Sequence, residues 1–130
     1  MSYTVEVKMN EYLEYMRENC IDKDGIHEGV ATGFIGAGES YAESILRIPE
    51  GRLYEVERGQ SHFTSEAIAK FAVWMYDTRL GFPKGYPTNK LDEINKLLDF
   101  ARTSPEFAAE RILIEPNENI QAIIGCYNLN

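Results

Sequence analysis

The chain has 130 residues, 44% of them hydrophobic and 12% aromatic. That is enough apolar material for a single domain spanning 1–130, and it excludes intrinsic disorder. With 21 acidic against 13 basic side chains the formal net charge is −8, so the basic footprint of a direct nucleic-acid binder is missing. No apolar run reaches transmembrane or signal-peptide length, and no membrane association is expected.

In chain order, Tyr3, Val5 and Val7 alternate with polar residues, which predicts a half-buried strand over 3–8. Asn10 can cap a short amphipathic helix over 11–20, with Tyr12, Leu13, Met16 and Cys20 at helical spacing. Asp22-Lys23-Asp24-Gly25 reads as a turn. The glycine-rich run Gly29–Gly38 predicts a bulged strand, or a strand leading into a loop. Residues 44–58 predict a β-hairpin turning at Pro49-Glu50-Gly51-Arg52.

The most apolar segment predicts a central buried helix over 65–80, capped by Thr64 or Ser65 and stopped by Gly81 and Pro83. Gly81–Pro87 is an exposed loop carrying Phe82 and Tyr86. Asn89 caps a helix over 90–102, striped by Leu91, Ile94, Leu97, Leu98 and Ala101. A short helix from Ser104-Pro105 to about Arg111 follows, then strands at 112–114 and 120–127 around a turn at 116–119. The order is β-α-β-β-β-α-α-(α)-β-β. The expected fold is α+β: a mostly antiparallel sheet of five or six strands with the 65–80 helix across one face.

Complete catalytic motifs are lacking. His62-Phe63-Thr64 is one His-x-Thr triplet, similar to the paired motifs of the two-histidine phosphoesterases, but His27 lacks the matching hydroxyl. The stretch Arg58-Gly59-Gln60-Ser61-His62-Phe63-Thr64-Ser65 resembles the strand-to-helix segment of ADP-ribosyltransferases. The resemblance implies Glu115 or Glu118 as the catalytic glutamate, but that family's Glu-x-Glu pair is absent and no family is assigned. Gly33–Gly38 matches neither a dinucleotide fingerprint nor a P-loop, and Asp22-x-Asp24-Gly25 lacks most of a calcium loop. Cys20 and Cys126 make neither a disulfide framework nor a zinc ligand set. They read as small buried hydrophobes in a reducing cytoplasm, and neither cofactor nor metal is expected.

Charge is the stronger signal. Residues 1–60 hold 12 acidic and 6 basic side chains, residues 61–130 hold 9 and 7, so the negative potential is concentrated in the first half. Glu11, Glu14 and Glu18, at i, i+3 and i+7, share one helix face, and Asp22 and Asp24 extend it. The expected function is therefore that of a small acidic, non-enzymatic binding module. It would act as inhibitor or adaptor on a protein partner with a basic surface, by class analogy with small phage and immunity proteins, and Phe82 and Tyr86 would add aromatic contacts. The alternative is a binder of a nucleotide-like ligand, or a small phosphoester- or ADP-ribose-handling enzyme, with Arg47, Arg52, Arg58, His62 and Thr64 lining its pocket. Open sheet edges would also permit a homodimer.

Overall fold

A computed structural model describes residues 6–21, 25–56 and 62–103. Over these the chain is helical: α1 (Glu6–Asn19), α2 (Glu28–Leu46), the single turn α3 (Leu53–Val56), α4 (His62–Asp77) and α5 (Lys90–Arg102). No strand occurs among the described residues, and their one extended pairing is an isolated bridge between Arg79 and Gly81. The expected five- or six-stranded α+β sheet is therefore wrong. The predicted strand at 29–38 lies within α2, the one at 44–48 covers the last turn of α2 and its C-cap, and the second hairpin strand is the turn α3. Residues 3–5, the short helix near 105–111 and the strands at 112–114 and 120–127 lie outside the described residues.

The error at α2 has a physical origin. Its buried stripe is Ala31, Ile35, Gly38, Glu39, Ala42, Glu43 and Leu46, which keeps helical spacing throughout. Only Ile35 and Leu46 are large and apolar, so the 3.6-residue period barely registers in hydrophobicity. Glycine ranks low as a helix former, but here small size is what packing requires. A Cβ on Gly38 would stand 2.8 Å from the backbone oxygen of Ile68, so α2 and α4 cross at backbone-to-backbone distance. α2 ends at Arg47, a non-glycine residue in the left-handed region (φ 61°), and the Ile48 N–H donates to the Glu43 carbonyl at 2.9 Å. The expected turn at 49–52 then forms, with Gly51 at φ 82°.

At the N-terminal end, residues 6–8 begin α1 instead of ending a strand. Val7 is 67% exposed, so the alternation of Tyr3, Val5 and Val7 does not mark a buried face there. The helix buries Met9, Tyr12, Leu13 and Met16, and Glu6 in its first turn and Arg17 in its last suit the helix dipole.

The 65–80 segment is, as expected, the central helix. α4 packs against α1, α2 and α5 and buries Thr64, Ala67, Ile68, Ala69, Phe71, Ala72, Val73 and Tyr76. It starts at His62, so Thr64 and Ser65 lie inside its first turn, and it stops at Asp77, leaving Leu80 89% exposed. Its end is closed by side chains. The Thr78 hydroxyl donates to the Trp74 carbonyl at 2.7 Å, and the Arg79 guanidinium donates to the Tyr76 carbonyl while lying 3.8 Å over the Tyr76 ring.

α1 runs parallel to α4: Lys8 reaches Ser65 at one end and the Ile21 N–H reaches Asp77 at the other. α5 runs antiparallel to α4, with Phe100 against Phe63. It spans the expected residues and buries Ile94, Leu98 and Ala101 from the predicted stripe. Asn89 holds the N-cap position without a side-chain capping bond.

Candidate functional site

Burial of Met9, Tyr12, Leu13 and Met16 turns Glu11, Glu14 and Glu18 to solvent together. Glu11 pairs with Lys8 at 3.4 Å. Asn10, Glu11, Leu13, Glu14 and Arg17 line a shallow hollow of about 420 Å³ on this face. Two carboxylates therefore border a depression with an apolar side chain in its wall, a shape that takes a long cationic side chain with its aliphatic stem buried. Arg17 also lines the hollow, its Nε donating to the Ile26 carbonyl at 3.3 Å. Asp22 and Asp24 lie outside the described residues.

The two loop aromatics take different roles. Phe82 is 68% exposed. Tyr86 folds back until its hydroxyl donates to Asp77 Oδ2 at 3.4 Å, and burial followed by the Asp77 charge pushes its phenol up to about 12. The rings stay neighbours, with centroids 6.5 Å apart.

The residues of the nucleotide-like alternative do not gather on one face. His62 and Thr64 are two positions apart on a helix, and so point to nearly opposite sides. The His62 side chain is 85% exposed and 3.4 Å from Glu66, while Thr64 is fully buried. Arg47 caps α2 and Arg52 follows the 49–51 turn. Arg58, Ser61, Cys126, Glu115 and Glu118 lie outside the described residues. The Gly33–Gly38 run is helix interior, with no free loop amides to cradle a phosphate.

Two buried carboxylates had no place in the sequence reading. Glu39 is 0% and Glu43 3% exposed. Tyr54 donates its hydroxyl to Glu39 Oε2 at 2.5 Å and stands 3.4 Å from the Tyr12 hydroxyl. Glu43 Oε2 accepts the N–H groups of Gly51 and Leu53 at 2.9 and 3.2 Å. These contacts tie α1, α2 and α3 together in the interior. The signal was available only once α2 is recognised as a helix, because positions 39 and 43 then fall on the stripe of Ala31, Ile35, Ala42 and Leu46.

This network predicts an alkaline transition. Burial, the largest cause for both, raises the phenols of Tyr12 and Tyr54 above the ordinary 10.0; the neighbouring Tyr12 and the Glu39 carboxylate push Tyr54 further. A group whose folded pKa lies above its unfolded one contributes stability that is complete below about pH 10 and is lost as pH climbs beyond it. The urea midpoint is therefore expected to fall between about pH 9 and pH 11. Phenolate absorbance of the native protein should show Tyr12 and Tyr54 silent until unfolding, whereas full titration of all 8 tyrosines before unfolding would contradict the buried network.

No protein-family model matches the chain, and no curated protein or solved structure is significantly similar to it.

The function must accordingly be read from the surfaces themselves. Among the described residues, no three His, Cys, Asp or Glu side chains are grouped as a metal site, and no helix is long and apolar enough to cross a membrane. A second hollow, about 300 Å³, lies between α1, the outer side of α4, the 84–87 loop and the start of α5.

Proposed function

We propose that the protein is a binding module that holds a basic surface of a partner protein against the carboxylate face of α1, acting as an inhibitor or adaptor. The observation that carries this reading is the set Glu11, Glu14 and Glu18, all exposed on one face beside the hollow at Leu13. Complementary charge of this kind speeds encounter and sets orientation more than it adds affinity. Phe82, exposed in the α4–α5 loop, is an additional anchor on the same reading. The buried Cys20 suits a reducing cytoplasm. A homodimer loses its original motivation, since the open sheet edges invoked for it do not exist among the described residues.

The test is an NMR titration with an arginine-rich peptide at about 0.15 M salt, where the Debye length is about 8 Å and only local charge clusters remain effective. Saturable shifts confined to the amides of residues 10–18 are expected, and replacing Glu11, Glu14 and Glu18 by lysine should abolish them while circular dichroism stays unchanged. Shifts spread over every acidic segment, or binding indifferent to the three substitutions, would remove the α1 face from consideration.

A further inference from the structure

The hollow beside the 84–87 loop differs electrostatically from the molecule around it. On a chain of net charge −8, three lysines, Lys70, Lys84 and Lys90, converge on one space of about 300 Å³, at the lower end of the size range for small-ligand sites. They come from α4, the loop and the first position of α5, so only the fold brings them together. Lys70 is 3.8 Å from Glu66. No ion pair joins Lys84 or Lys90 to a described carboxylate. Of the acidic groups that line the space, Asp77 already accepts the Ile21 N–H at 3.0 Å and the Tyr86 hydroxyl at 3.4 Å, and Glu93 is exposed in the first turn of α5. Uncompensated ammonium groups around one hollow attract an anion. The distant carboxylates that make the whole chain acidic are screened over about 8 Å at physiological salt, so the local lysines dominate. Of the remaining walls, Val73 is buried beneath the space, Tyr15 and Tyr86 flank it, and Asn19, which donates to the Tyr15 carbonyl at 2.9 Å, adds a polar group.

We propose that this hollow binds a small phosphate monoester with a planar organic body, its phosphate between Lys84 and Lys90 with Lys70 nearby, and its body over Val73 beside Tyr15 and Tyr86. A dianionic phosphate suits three separated point charges better than a monoanion does, and lysine binds phosphate as a point charge. This site shares no residue with the α1 carboxylate face and stands or falls independently of it.

Phenyl phosphate is the probe, titrated at constant ionic strength while backbone amide shifts are followed. Saturable shifts at Lys70, Lys84, Gly85, Tyr86 and Lys90 are expected. The double substitution Lys84→Ala/Lys90→Ala should weaken binding at least tenfold, whereas Lys96→Ala, an exposed lysine elsewhere on α5, should leave it unchanged. Both variants remove only surface charge, so their melting temperatures serve as the folding control. Shifts that never saturate, shifts scattered over all lysines, or equal loss with Lys96→Ala would overturn the proposal.

Discussion

Gly38→Val is expected to lower the unfolding free energy by about 3 kcal/mol, the upper end of overpacking costs, while Gly33→Ala on the same helix raises it by about 0.5–1 kcal/mol. The two glycines are five residues apart and meet opposite surroundings. A Cβ at Gly38 would lie 2.8 Å from Ile68 O, 3.3 Å from Ile68 Cγ2 and 3.4 Å from Ile68 Cα. The nearest of these atoms is backbone of the central helix, so relief requires α2 and α4 to move apart, opening voids along the buried stripe from Ile35 to Leu46. At Gly33 an added Cβ has nothing within 4 Å, and alanine simply removes conformational freedom from the unfolded chain. Urea denaturation followed by circular dichroism checks both. If Gly38→Val were tolerated at wild-type stability, the close α2–α4 crossing would be wrong.

The same contrast explains what could be read in advance. α4 and α5 repeat large apolar residues, such as Ile68, Phe71, Ile94 and Leu98, at helical intervals, and both were identifiable from periodicity. α2 uses alanine, glycine and two glutamates at its inward positions. Its period is carried by residue size, which a hydrophobicity pattern does not register, and its glycines point towards strand or loop when taken alone. The α1 carboxylate face was legible because i, i+3 and i+7 spacing is a property of one helix. The lysine hollow was not, because Lys70, Lys84 and Lys90 share no period and meet only after α4 and α5 fold back on each other. The predicted helix runs on to Leu80, but α4 ends three residues earlier, at Asp77.

Glu43→Ala carries the other large effect, a loss of about 3 kcal/mol. Its buried carboxylate accepts the N–H groups of Gly51 and Leu53, and a buried donor deprived of its acceptor costs about 1–3 kcal/mol. Leu53 opens α3, so Glu43 satisfies a helix N-terminus from ten residues away, as a capping side chain does from within its own turn. Glu43→Gln keeps the shape and one acceptor oxygen but gives up the charge, so its cost should be smaller, about 1 kcal/mol. Faster amide exchange at Gly51 and Leu53 in the alanine variant would locate the loss. The effect should also spread. α3 presents Tyr54 to Glu39, so loosening α3 weakens that bond as well. Tyr54→Phe alone should cost about 1.5–3 kcal/mol, the range for a hydrogen bond to a charged group. Combined with Glu43→Ala it should cost less than the sum, with a coupling of about 0.5 kcal/mol or more. Strict additivity would mean that the two carboxylates act separately, and that α3 holds Tyr54 in place without Glu43.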